Sequence, residues 1–304
     1  MGTADNLAEP AAAGAAAERR GLRQLLQGGI DALRAHEPNA PLAAEVLLAH
    51  VLNRPRAALL TQDELPIGAA AAALYRALIA RRIDGEPIAY LTGQREFWSL
   101  PLNVTPAVLI PRPETELLVE RALALLPIST AAAAGAAAGV VRVADLGTGS
   151  GAVVLALASE RPGWLLTATD QSEAALTVAR GNAARLNLGP IEFLTGDWLA
   201  PLNGRRFEAI VSNPPYIAGG DAALAALRHE PGEALSPGPS GLEALRLLIS
   251  QAPPHLESGG WLLLEHGADQ ADAVAAALVA AGYARVRCHR DLAGRDRVTE
   301  GRWL

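Results

Sequence analysis

Val143-Ala-Asp-Leu-Gly-Thr-Gly-Ser-Gly151 is an apolar run that breaks into alternating glycines and then continues as Ala152-Val-Val-Leu-Ala-Leu157. The run reads as a strand and its continuation as a helix. Gly147, Gly149 and Gly151 make the turn between them sharp, with bare backbone that a ligand can approach closely. Any α/β protein can use such a turn for structure alone. A dinucleotide fingerprint spaces its glycines G-x-G-x-x-G, and here the spacing is G-x-G-x-G. The motif therefore points to a nucleoside-type cofactor without specifying one. Downstream, strand and helix patterns alternate. Candidate strands run from Val141 to Leu146, Trp164 to Thr169, Ile191 to Thr195, Phe207 to Ser212, Trp261 to Glu265, Ala284 to His289 and Val298 to Trp303. Helical patterns such as Ala174 to Leu186 and Ala271 to Ala281 separate most of them. This alternation predicts an α/β fold with a mostly parallel sheet covered on both faces. Ligands in such folds bind beyond the carboxyl ends of the strands, where strand order reverses.

Upstream the pattern changes. Glu114 to Leu126 reads as a helix. Between 87 and 112 the helical period stops, and Phe97, Trp98, Leu100, Leu102, Val104 and then Val108, Leu109 and Ile110 read as short extended segments punctuated by prolines, a connecting β-hairpin. Residues 21–86 read as a small helical bundle. Leu22, Leu25, Leu26, Ile30 and Leu33 share one face, Asn39 and Pro41 open a second helix, and a third runs from Ala69 to Arg82. Residues 1–20 read as a disordered Ala-rich tail, and 128–139 as an Ala/Gly insertion without chemistry.

The 304 residues are half hydrophobic, and the 26 basic residues against 32 acidic ones leave a net charge of -6. Every basic residue is arginine. The bundle is neutral and residues 87–304 carry -5, which argues against affinity built on a broad cationic face for nucleic acid. A single cysteine, Cys288, excludes an intramolecular disulfide or a cysteine-based zinc cluster. No apolar run reaches transmembrane length and the amino terminus is a poor signal or transit peptide, so a cytoplasmic enzyme without a membrane partner is expected.

Three further signals carry chemistry. Asp170 ends the second strand, 19 residues after Gly151, where a carboxylate can accept hydrogen bonds from both ribose hydroxyls. It can equally cap the next helix through Asp170-Gln-Ser172; paired with the glycine turn, the ribose role is preferred. Gly196-Asp197-Trp198 follows the third strand. An acid and an aromatic there suit a purine, and a tryptophan covering the core edge is an equal reading. Asn213-Pro-Pro-Tyr216 decides. Two prolines stiffen a turn directly after the fourth strand, so that the Asn213 side-chain oxygen and the Pro214 carbonyl can face one spot beside the Tyr216 ring. That spot suits a planar NH2 group, one acceptor per hydrogen with the ring on its π face. An amide nitrogen is a weak nucleophile because its lone pair is delocalised, and holding both hydrogens out of the conjugated geometry turns the lone pair toward an electrophile.

Together, Gly147-Thr-Gly-Ser-Gly151, Asp170 and Asn213-Pro-Pro-Tyr216 resemble class I S-adenosylmethionine-dependent methyltransferases acting on amino or amide nitrogen. Tyr90-Leu-Thr-Gly93, Arg95-Glu-Phe-Trp98, Ile110-Pro-Arg-Pro-Glu-Thr-Glu116, Asp197-Trp198, Leu264-Glu-His-Gly267 and Asp296-Arg-Val-Thr299 resemble, more narrowly, the peptide chain release factor N5-glutamine methyltransferase family (PrmC, or HemK). The resemblance covers about residues 22–304. It implies a Rossmann-like class I methyltransferase domain over 113–304 with a seven-stranded sheet, preceded by a helical domain over 21–86 that grips the substrate and a hairpin linker over 87–112. It implies S-adenosyl-L-methionine as methyl donor, with S-adenosyl-L-homocysteine as product, and methylation of the glutamine of the GGQ motif in class 1 release factors. Gly147, Thr148, Gly149, Ser150, Gly151, Asp170, Asp197, Trp198 and Asn213 fall to the cofactor, and Asn213, Pro214, Pro215 and Tyr216 to the glutamine and to catalysis. Arg112 and Glu116 receive no role from it.

The expected reaction is direct in-line transfer to the amide nitrogen, relying on orientation rather than a strong base. Glu265 and His266, at a strand end near the crevice, read as structural. No residue cluster suggests a metal, and a monomer is expected. Two other readings are a nucleic-acid amino methyltransferase acting on adenine N6, cytosine N4 or guanine N2, and a non-catalytic cofactor binder. The first lacks a basic, aromatic target-reading insertion. The second has no use for an NH2 clamp.

Overall fold

The computed structural model describes residues 20–59, 66–127 and 140–304, so the Ala-rich tail (apart from Arg20) and the 128–139 insertion lie outside the described residues. The chain divides into two compact units, Met1–Thr92 and Gly93–Leu304.

In the first unit, α1 (Leu22–Leu33), α2 (Ala40–Leu52) and α3 (Ala69–Ile83) enclose a core that includes Leu25, Leu33, Leu47, Leu48, Tyr75 and Leu78. Asn39 caps α2, its side-chain oxygen accepting from the Leu42 N–H at 3.4 Å, so one of the unpaired donors of the first turn is satisfied. Gly29 lets α1 approach α3: a Cβ there would stand 2.0 Å from the Tyr75 hydroxyl. Helical structure does not stop at Glu86 as the sequence suggests. A further helix, α4 (Ile88–Thr92), follows Pro87 and belongs to this unit. Five residues are too few to show a helical period.

The second unit opens with a hairpin of β1 (Gln94–Phe97) and β2 (Leu100–Asn103). Its two turn residues, Trp98 and Ser99, have φ of 53° and 58°, a conformation that such turns ordinarily assign to Asn-Gly. Carboxylates hold Trp98 there. Its backbone N–H donates to Glu116 at 2.9 Å and its indole N–H to Glu160 at 2.9 Å. Val108 to Ile110, expected as extended, form no strand.

After α5 (Glu116–Leu125) the chain alternates β3 (Arg142–Leu146), α6 (Ala152–Glu160), β4 (Leu165–Asp170), α7 (Glu173–Leu186), β5 (Ile191–Thr195) and β6 (Phe207–Ser212). It continues through α8 (Glu243–Gln251), β7 (Leu256–Glu265), α9 (Ala271–Ala280), β8 (Ala284–Arg290) and β9 (Asp296–Arg302). The seven strands from β3 on form one sheet in the order β8-β9-β7-β6-β3-β4-β5. The pairs from β7 to β5 are parallel, and β9 runs antiparallel to both its neighbours. Side chains alternate between two cores. Val143, Val211 and Leu263 enter one, while Ala144, Leu146, Ile210, Leu262 and Leu264 enter the other, as a period of two requires. Residues 152–158 of α6 are all buried, which accounts for a helix apolar on every side. From β3 the chain moves outward to β4 and β5, then crosses back to β6 on the other flank. The crevice thus opens where β3 and β6 end, at the glycine turn and at Asn213.

Candidate active site

The β3 strand delivers Asp145 into the interior beneath the glycine turn. Its carboxylate accepts from the Thr148 hydroxyl at 2.7 Å and from the Val154 N–H at 3.2 Å, which ties the turn to the first turn of α6. Burial pushes its pKa up to about 7, against those two hydrogen bonds. Gly147, Gly149 and Gly151 all have positive φ, of 70°, 56° and 84°. A Cβ on Gly147 would meet the Trp198 ring at 3.1 Å, and one on Gly149 would meet nothing within 4 Å. Two of the glycines therefore have distinct tasks: one seats the indole and the other leaves open space.

Asp170 reaches back from the end of β4. One carboxylate oxygen accepts from the Gly149 N–H and the other from the Ser172 N–H, both at 2.9 Å. The α7 cap belongs to Ser172, whose hydroxyl accepts from the Ala175 N–H at 3.1 Å, so capping does not explain Asp170. Burial raises the Asp170 pKa, and the two backbone donors oppose that shift.

Gly147, Gly149, Asp170 and Ser172 line one cleft with Val108, Leu109, Asp197, Trp198, Asn213 and Pro215, and Gly151 is not among its lining residues. Trp198, half-buried in the left-handed region with φ 46°, is fixed through its carbonyl, which accepts from the Thr169 hydroxyl at 2.9 Å. Asp197 is exposed at the cleft. Thr148 and Ser150 are buried beneath the turn and are not among the cleft-lining residues.

A second cavity adjoins the first through Leu109, Asn213, Pro215 and Ala234, and adds Arg112, Glu114, Pro214, Tyr216 and Arg297. Asn213 thus borders both. Its side-chain NH2 donates to the Thr115 hydroxyl at 3.1 Å, leaving its oxygen without that obligation. Tyr216 is held at both ends: its hydroxyl donates to Glu265 at 3.3 Å, and its carbonyl accepts from the Gln270 amide at 2.9 Å. Burial raises the Tyr216 pKa, so the phenol stays protonated.

Several contributors were not legible from the sequence. Arg112 pairs with Glu230 at 2.6 Å, and the same carboxylate accepts from the Ile110 N–H at 3.0 Å. This ties the segment before α5 to the loop that walls both cavities. Thr115, Glu230 and Gln270 carry no local motif, and only the lie of Thr115 within Ile110-Pro-Arg-Pro-Glu-Thr-Glu116 set it apart. Glu116 fastens the hairpin turn. His266 is fully buried, with one ring nitrogen 2.8 Å from the Gly267 carbonyl and the other 2.7 Å from the Thr299 hydroxyl. Burial lowers its pKa, so it is a neutral spacer in the fold. Among the described residues no group of His, Cys, Asp and Glu could hold a metal ion.

Two family models match the chain, the PrmC N-terminal domain over residues 24–93 and the methyltransferase small domain over 133–273. The release factor glutamine methyltransferase of Coxiella burnetii is 48% identical over 261 residues, covering 86% of this chain and 91% of its own. That of Escherichia coli is 47% identical over 262 residues, with 86% and 91% covered. That of Vibrio cholerae is 44% identical over 291 residues, with 95% and 96% covered. Among solved structures, the hMettl16 catalytic domain with the MAT2A 3'UTR hairpin 6 matches with a TM-score of 0.53 at 16% identity, covering 79% of this chain and 84% of its own. The T. thermophilus 16S rRNA N2 G1207 methyltransferase matches at 0.50 and 19%, covering 69% and 50%. These distant likenesses concern the class I methyltransferase fold alone, whereas the full-length identities reach further. The chain belongs to the release factor glutamine methyltransferase family.

Proposed function

We propose that this enzyme transfers a methyl group from S-adenosyl-L-methionine to the side-chain amide nitrogen of the glutamine in the GGQ motif of class 1 peptide chain release factors. The observation that carries the reading is the position of Asn213 and Pro215 on the wall shared by two adjoining cavities, one bounded by the glycine turn and Asp170 and the other lined by all of Asn213-Pro-Pro-Tyr216. The first cavity fits the donor. Asp170 is a partly buried carboxylate with two backbone donors, and a ribose diol would add the hydroxyl donors that offset its desolvation. Gly149 offers open space at the turn, and Trp198 and Asp197 offer an aromatic face and an acceptor to a purine. When bound, S-adenosyl-L-methionine supplies an electrophilic methyl group on a sulfonium centre.

The residues of the second cavity would receive the glutamine. The Asn213 oxygen and the Pro214 carbonyl accept the two amide hydrogens, while the Tyr216 ring covers the planar group. As positive charge develops on the nitrogen, these preorganised acceptors stabilise it more than they stabilise the ground state. The proton lost afterwards is acidic enough to go to water, so no strong base is needed. We further assign the helical unit ending at Thr92 to gripping the release factor, and take the enzyme to act as a monomer in the cytoplasm. No helix among the described residues is long and apolar enough to cross a membrane.

Methyl transfer from labelled S-adenosyl-L-methionine, offered a purified class 1 release factor and separately bulk RNA and DNA, tests the reading. Label on the release factor is expected. Label on nucleic acid alone would transfer the clamp to the base-methylating alternative.

A further inference from the structure

Glu265 ends β7 fully buried, with no direct contact to either cavity, and its side chain is committed to the clamp. Its Oε1 accepts from the Tyr216 hydroxyl at 3.3 Å, and the Thr115 side chain stands against the same carboxyl group and favours its ionised form. Its Oε2 has no hydrogen-bond partner. A buried carboxylate with an unfilled acceptor is costly, and the fold tolerates it where it receives the hydroxyl of a clamp residue.

Thr115 supplies the second link. Its hydroxyl accepts from the Asn213 NH2 at 3.1 Å, which fixes that amide with its oxygen turned away from Thr115. The two clamp residues thus have separate anchors, Asn213 donating to Thr115 and Tyr216 donating to Glu265. Losing the Thr115 anchor would free the Asn213 amide to turn over and present NH2, not oxygen, to the incoming glutamine.

We infer that Glu265 and Thr115 are positioning residues that fix the Asn213 amide and the Tyr216 ring in the orientation the transfer requires. The inference rests on the proposed glutamine methylation and names the part of the molecule that sets its geometry. Neither residue touches the reacting atoms; both act through those that do. Burial and Glu114 raise the Glu265 pKa, to about 7, while Thr115, Tyr216 and Arg297 hold it down. The anchoring carboxylate is therefore ionised at the alkaline end of the neutral range and loses an acceptor site as the pH falls.

The test compares Thr115→Val, Thr115→Ser and Glu265→Gln with the wild type, using the full chain, a purified class 1 release factor and labelled S-adenosyl-L-methionine. Valine keeps the shape and removes the hydroxyl, whereas serine restores it. Misplacement of a reacting group by an ångström can cost about a hundredfold, so Thr115→Val and Glu265→Gln are expected to lower kcat at least tenfold. S-adenosyl-L-methionine affinity by calorimetry and Tm should stay close to wild type for Thr115→Val. Thr115→Ser should recover most of the rate, and Glu265→Gln should flatten the rise of kcat between about pH 6 and 8. Equal loss in the Val and Ser variants, or a loss confined to KM for the cofactor, would overturn the inference. If Glu265→Gln does not fold, the Thr115 pair decides alone. A wild-type chain inactive on the release factor would instead count against the proposed function.

Discussion

At Asn213 one side chain borders both cavities and has its NH2 already engaged by Thr115. Asn213→Ala removes an acceptor aimed at the substrate nitrogen, and losing one such preorganised group typically costs about 10²–10³ in rate. The variant is expected to lose kcat by that order while keeping a wild-type Tm; near-normal turnover would refute the clamp. Asp170 makes a separate case. Because Ser172 holds the helix cap, Asp170→Ala should weaken S-adenosyl-L-methionine binding by more than the ~1 kcal/mol that a lost cap is worth. Calorimetry showing unchanged affinity would remove Asp170 from the ribose.

Between elements, the tie from Arg112 to Glu230 joins the segment before α5 to the loop over the cavities. The Glu230 side chain is 2% exposed and that of Arg112 27%, so Arg112→Ala leaves a buried carboxylate held only by the Ile110 N–H. Breaking a fully buried pair costs about 3–5 kcal/mol, and the partial exposure of Arg112 brings the expected loss nearer 2 kcal/mol. Urea unfolding measures it, and a rise in KM for the release factor should accompany it. The sequence made some of this architecture legible and concealed the rest for identifiable reasons. The Gly147–Gly151 turn, the seven strands and Asn213-Pro-Pro-Tyr216 could be read because each is local, a period or a backbone constraint within a few residues. Thr115, Glu230, Gln270 and the anchoring use of Glu265 could not, because each acquires its partner only when distant segments meet. The Trp98-Ser99 turn was hidden differently. Its left-handed backbone is imposed by Glu116 and Glu160 from outside, and neither turn residue announces it.

For the whole second unit, Asp145 links the site to stability. Its pKa is about 7 when folded and near 3.8 when unfolded, so the folded state binds the extra proton between those values. The associated stability is present below about pH 4 and is lost as pH rises toward 7. Asp145→Asn keeps an acceptor for Thr148 and Val154 without the charge, and should gain on the wild type across that window, by up to about 1.4 kcal/mol per pH unit. Unfolding free energies that differ by a constant amount from pH 4 to 8 would show that Asp145 is not the titrating group.

The same buried turn and the adjoining clamp make one claim about the molecule, that it methylates a glutamine side chain of a release factor. Tandem mass spectrometry of the GGQ peptide, after reaction of the full chain with a class 1 release factor and S-adenosyl-L-methionine, tests it most directly. A single methyl on the glutamine side-chain nitrogen, absent with Asn213→Ala, is the expected result. A methyl on another residue, or none on that peptide while the enzyme remains active elsewhere, would contradict it.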